Sequence, residues 1–294
     1  MTRQLVFVHG RSQQGKDAAR LKQIWIEAWK EGLGKHGLDM PIAEEEIRFP
    51  FYGDTLDDLT QGATPADAAK IVIKGDNADA QETQFIRSIL LEVQRQAGVT
   101  DEQVQQLVAG PIERGVLNWE WVQNVLEAID TYVPGASAAS VALATRDVYK
   151  YLNHDGIRGI IDSGVGDAII PGVETIVVGH SLGSVVSYNL LKNEGQAKGW
   201  VVPLYVTLGA PLAVNAIKEG LAPIKHPSCV GKWFNAMDEK DIVSLYPLDS
   251  DHFDIDPSIE NKTDVDNPTE NRHGIVGYLP DPVVARRIYD ALIQ

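Results

Sequence analysis

The sequence predicts an α/β fold: a mostly parallel sheet with helices on both faces, interrupted by a helical insertion. Three observations carry this. Short apolar runs rich in β-formers recur at 5–8, 175–178 and 201–208. The first two each lead through a glycine-bearing turn into an amphipathic helical pattern. Between about 60 and 170 strand signals nearly vanish. Uninterrupted apolar runs of this length suit strands buried on both faces, the environment of a parallel sheet between two helical layers.

The elements follow in order. Leu5-Val6-Phe7-Val8 reads as the first strand, ended by His9-Gly10. Leu21, Ile24, Trp25, Ala28, Trp29 and Leu33 then recur at helical spacing, and Ile47 to Phe51 suggests a second strand. In the insertion, Phe85, Ile86, Ile89, Leu90 and Val93 mark a helix ended by Gly98, and Thr100 with Gln103 forms a capping-box pattern. Leu117 to Ile129 marks another helix, and the Ala/Ser stretch 136–145 opens one more. The sheet resumes with Thr175-Ile176-Val177-Val178, a helix through Val185 to Leu191, and Val201 to Leu208. Lys232 to Ala236 is expected to be the last strand, followed by a long exposed acidic loop over 238–270. Asp281-Pro282 supplies an N-cap and a first-turn proline for a terminal helix. The expected division is a core of 1–59 and 171–294, with 60–170 as a helical cap.

Composition narrows the function. The 294 residues carry a formal charge of −15, with 44% hydrophobic and 23% charged residues, an ordinary globular balance. An acidic surface repels phosphate backbones and offers no basic patch for anionic lipid, so nucleic acid is not an expected partner. No stretch approaches the roughly 18 apolar residues of a membrane span. Cys229 is the only cysteine, which excludes an intrachain disulfide and Cys-ligated zinc. With no secretory signal in the opening residues, the expectation is a cytoplasmic protein without a membrane span. Oligomeric state leaves no readable trace.

The chemistry centres on Gly179-His180-Ser181-Leu182-Gly183, a G-x-S-x-G pattern between an apolar strand and an amphipathic helix. A serine on such a tight turn is raised above the sheet edge, and glycines on either side remove Cβ atoms that would collide there. The N–H of Leu182, at a helix N-terminus, is placed to hold an oxyanion. A second donor is expected at the corner after the first strand, from Arg11 with Gly10 as second choice. Gly10, Ser12 and Gln13 would then border the pocket. His180 is assigned to packing, not to catalysis.

A serine hydroxyl needs a histidine to take its proton, and the histidine needs a carboxylate to fix its tautomer. With a G-x-S-x-G serine the acid and then the histidine follow along the chain. After the strand at 232–236 come Asp238 and Asp241; Asp241, followed by Ile242-Val243, is preferred. His273, in Asn271-Arg272-His273-Gly274 just before the terminal helix, is preferred as base over His252.

These pieces give a resemblance. Phe7-Val8-His9-Gly10, Gly179 to Gly183, Leu208-Gly209-Ala210-Pro211, Asp241-Ile242-Val243 and His273 together resemble the serine α/β-hydrolase superfamily, its lipase/esterase-like branch. The resemblance covers both ends of the chain and leaves 60–170 unmatched. It implies carboxylic-ester hydrolysis through an acyl-enzyme, with no metal and no cofactor. The expected substrate is a small-molecule ester or lactone, bulky and soluble. A lipase or thioesterase of the same mechanism, or a catalytically silent binding module of this fold, are the alternatives. Trp119 and Trp121 of the insertion are expected either to line a substrate surface or to pack the cap onto the body. A rival motif, Gly10 to Lys16, fits G-x-x-x-x-G-K but is followed by Asp17 where a phosphate-binding loop carries Ser or Thr.

Overall fold

The structure is a computed structural model, describing residues 3–10, 17–52, 80–107, 119–133 and 138–294. In chain order it has strand β1 (Gln4–Val8), helix α1 (Ala18–Gly34), strand β2 (Ile47–Arg48) and helices α2 (Ala80–Gln96), α3 (Asp101–Gln106), α4 (Trp119–Tyr132), α5 (Ala138–Asn153) and α6 (Asp155–Gly166). Strand β3 (Thr175–His180), helix α7 (Leu182–Asn193), strand β4 (Val202–Leu208), helix α8 (Asn215–Gly220), strands β5 (Val230–Ala236) and β6 (Glu260–Lys262), and helices α9 (Ile275–Tyr278) and α10 (Pro282–Ile293) complete it. The six strands form one sheet in the order β2-β1-β3-β4-β5-β6, and every neighbouring pair is parallel.

Alternation along the strands divides the core into two layers. Leu5, Phe7, Ile176, Val178, Val206 and Phe234 face one side, where they pack with Trp25 and Trp29 of α1 and Val284 and Ile288 of α10. Val6, Val8, Val177, Tyr205 and Trp233 face the other, against α7 and the helices of the 80–166 segment. Those helices therefore share a continuous core with the sheet. Helix ends follow their capping chemistry: Asp17 accepts from the Ala19 N–H, Asp281 from the N–H groups of Val283 and Val284, and Thr100 and Gln103 close a capping box. No helix among the described residues is long and apolar enough to cross a membrane.

Two sequence expectations are corrected. The acidic stretch 238–270 is not one exposed loop, and β5 is not the last strand. β6 pairs parallel to β5, and Leu248, Phe253, Ile259 and Val265 within the stretch are buried. The acidic residues mask the apolar positions because they alternate with them at irregular spacing. Helix α6 was also not anticipated: four glycines lower its propensity, but Ile157, Ile161 and Val165 repeat every fourth residue and bury one face.

Candidate active site

The ends of adjacent strands meet at Ser181. β3 runs buried to His180, and the chain turns into α7 through Ser181 with φ 54° and ψ −126°. For a residue with a Cβ this backbone costs on the order of 1–3 kcal/mol and persists only where the surroundings enforce it. They do so by close approach. A Cβ at Gly179 would lie 2.7 Å from Ser187 Oγ, and one at Gly183 would lie 2.1 Å from the Val8 carbonyl. A Cβ at Gly10 would lie 2.9 Å from Ser181 Cβ, so the end of β1 abuts the serine directly. The Ser181 N–H donates to the Leu208 carbonyl at 3.1 Å, which ties in the end of β4.

This corner lies between β1 and β3, where the strand order changes direction, at the carboxyl edge of a parallel sheet. Open α/β sheets bind their ligands at such switch points. Leu182 opens α7, and the first N–H groups of a helix have no acceptor within it.

The carboxylate comes from the loop after β5. Asp241 Oδ2 accepts from His273 Nδ1 at 2.7 Å and from Tyr278 Oη at 2.6 Å, and its Oδ1 accepts the Val243 N–H at 2.9 Å. Burial pushes the Asp241 carboxyl up, but the adjacent His273 and the hydrogen bonds from His273, Tyr278 and Val243 outweigh it and hold the group below the usual carboxylate range. Burial, and next the Asp241 charge, push the Tyr278 phenol well above its ordinary value, so it stays a donor.

An ionised Asp241 accepts only, so Nδ1 of His273 carries a proton, and Nε2 is the nitrogen left to present a lone pair in the neutral tautomer. That Nε2 is buried with no hydrogen-bond partner. His273 is held from behind: His180 Nε2 donates to the His273 carbonyl at 2.7 Å, with the two rings 4.9 Å apart. Burial, and next the neighbouring His273, lower His180 to about 3, which keeps it neutral.

Gly209 joins the two halves. It has φ 54°, and a Cβ there would stand 3.1 Å from Asp241 Oδ2 and 3.2 Å from His273 Cε1. Leu208 thus holds the serine backbone while the next residue makes room for the Asp–His pair. The Leu-Gly-Ala-Pro segment had no assignable chemical role in the sequence, and Tyr278 drew no notice, because a tyrosine in an apolar context carries no signal of its partner.

The other candidates lie elsewhere. Asp238 accepts the N–H groups of Lys240 and Asn267 and pairs with Arg272 at 3.4 Å, anchoring the loop that leads into His273. His252 pairs with Asp249 at 2.7 Å and stacks on Tyr246. Trp121 does not line the cleft at Ser181; it is buried in the core with Val122, Val125 and Leu126, with the Arg87 guanidinium 5.2 Å over its ring. Packing the segment onto the body is its role. Arg11, Ser12, Gln13 and the Trp119 side chain lie outside the described residues. Asp17 places its own carboxylate on the N-terminus of α1, where a phosphate-binding loop would receive its anion, and this counts against the nucleotide alternative.

A small cleft opens at Ser181 between α2, α5 and the segments 211–217 and 242–245. No family model, curated protein or solved structure matches this chain.

Proposed function

We propose that this chain is a serine hydrolase of carboxylic esters, working through an acyl-enzyme on a soluble ester or lactone within an α/β-hydrolase type of fold. One observation carries the proposal: the buried, unpartnered Nε2 of His273, whose opposite nitrogen is held by an ionised Asp241, in the corner where Ser181 stands on a strained turn. A lone pair kept in place with no structural partner suits a general base.

In this reading the Ser181 Oγ attacks the ester carbonyl carbon as its proton passes to His273 Nε2. The developing oxyanion is held by the Leu182 N–H, with the sequence-expected Arg11 N–H as second donor. Collapse returns the proton to the leaving alcohol and leaves Ser181 acylated. Water, deprotonated by the same nitrogen, then releases the acid and regenerates the hydroxyl. Asp241 remains ionised throughout and stabilises the imidazolium. A thioester would follow the same path. The cytoplasmic location expected from the sequence belongs with this proposal.

The test is turnover of p-nitrophenyl esters and covalent labelling by a fluorophosphonate. Wild type is expected to do both, and Ser181→Ala to lose labelling and at least 10³-fold of kcat. Wild type that neither labels nor hydrolyses any ester would contradict the proposal.

A further inference from the structure

We infer that Tyr278 is a positioning residue of the hydrolase: its hydroxyl holds the Asp241 carboxylate in line with His273 and takes up part of the charge that would otherwise act on the imidazole alone. This role presupposes the hydrolase reading above and adds to it what sets the acid side of its working pH range.

The phenol proton is directed one way. Tyr278 is fully buried at the end of α9, and its ring lies against Gly209, where a Cβ would stand 3.0 Å from Tyr278 Cε2. Asn267 aims this short helix. Its Nδ2 donates to the Gly274 carbonyl at 2.9 Å, its own N–H donates to Asp238 Oδ2 at 2.9 Å, and its side chain fills the space that a Cβ on Gly277 would need. The Tyr278 Oη accepts the Asp238 N–H at 3.2 Å, so its one proton is left for Asp241 Oδ2 at 2.6 Å. Asp238 and Asp241 are the two ends of a single turn, closed by the Asp241 N–H on the Asp238 carbonyl at 3.0 Å, and the phenol spans it.

Oδ2 therefore serves two donors at once, the phenol and His273 Nδ1 at 2.7 Å, while Oδ1 is taken by the Val243 N–H at 2.9 Å. Three bonds fix the plane of the carboxylate, so Oδ2 stays on the line of Nδ1 while the imidazole gains and loses its second proton. A charge shared with a phenol also attracts an imidazolium less than an unshared one does. The other titratable neighbours leave this role to Tyr278. His180, with His9 beyond it, stays neutral, its ring 6.0 Å from that of Tyr278 and 4.9 Å from that of His273. The Asp238 carboxylate is paired with Arg272 at 3.4 Å.

The experiment follows kcat/KM for a p-nitrophenyl ester across the acid limb of its pH profile in wild type, Tyr278→Phe and Tyr278→3-fluorotyrosine. Circular dichroism at each pH restricts the comparison to folded enzyme, and the midpoint of the limb does not depend on how much of a variant is active. Tyr278→Phe keeps the ring and removes the donor. It is expected to move the midpoint to higher pH by about 0.5–1, a loss of roughly three- to tenfold on the acid side. The fluorinated phenol is more acidic and a stronger donor, and is expected to move the midpoint to lower pH by a smaller amount. Shifts in these opposite directions bear the role out. An unmoved midpoint, or the same direction in both variants, overturns it and leaves the hydrolase reading standing, since a ring that only packs would give no such opposition. Where Tyr278→Phe does not fold, the direction of the shift in the fluorinated variant decides alone. Absence of turnover in wild type overturns both.

Discussion

Two Asp–His pairs in this chain have the same length and opposite character. Asp241 and His273 meet at 2.7 Å, and so do Asp249 and His252. The side chains of the first pair are 0% and 12% exposed; those of the second are 41% and 35% exposed. Around Asp241 a tyrosine hydroxyl and a backbone N–H complete the carboxylate, Gly209 opens space for the imidazole, and the far nitrogen is left without a partner. Asp249 accepts the N–H groups of its own turn, at Asp251 and His252, and its pair caps a local bend. Pair distance alone therefore separates nothing. Burial, convergent donors and an orphaned ring nitrogen distinguish the pair proposed for catalysis from a surface contact.

The largest effect that would sharpen this contrast is on turnover. Asp241→Asn is expected to lower kcat for ester hydrolysis by about 10⁴-fold, because the neutral amide no longer fixes the Nδ1–H tautomer. Asp249→Asn is expected to stay within a factor of about two. Steady-state kinetics on both variants, with circular dichroism to verify folding, decides it, and equal losses would erase the distinction.

A smaller effect appears in stability against pH. His180, behind the buried pair, has its native value lowered to about 3 from an ordinary 6.5. Between those values the unfolded chain binds a proton that the native chain refuses, so stability falls as pH falls. From pH 6.5 to 5 this amounts to about 2 kcal/mol. Asp241 adds to the loss at lower pH: its native value is depressed, so its contribution is present above the ordinary carboxylate value and disappears as pH drops through the native one. Urea midpoints across this range are expected to decline in wild type and to decline less in His180→Gln. Parallel curves would show that His180 protonates freely in the folded chain. The exposed Asp249–His252 pair, open to water and counter-ions, is expected to contribute little.

How much of this was legible in the sequence depends on whether the signal was local. β1, β3 and β4 announced themselves because apolar runs in a parallel sheet are nearly continuous, and the serine turn because its glycines are required by contacts within a few residues of the motif or with the next strand. Asp241 and Asp238 were ranked by chain order and a following Ile-Val, and only the fold shows that one faces His273 and the other Arg272. Both lie on one turn after β5, with nothing local to tell them apart. Tyr278, Gly209 and the His180 bond to the His273 carbonyl were beyond reach, since each works through a residue at least 32 positions away. Trp121 stood open between a binding wall and the core, because a tryptophan's apolar face suits both, and it is buried in the core.

The most direct measurement is the rate of Ser181 labelling by a fluorophosphonate in wild type, His273→Ala and His252→Ala, with the adduct located by mass spectrometry. The expected result is an adduct on Ser181 at matched rates in wild type and His252→Ala, and a rate lower by at least 10³-fold in His273→Ala. Labelling of His273→Ala at the wild-type rate, or loss of labelling in His252→Ala instead, would show that the buried imidazole is not the base that activates the serine.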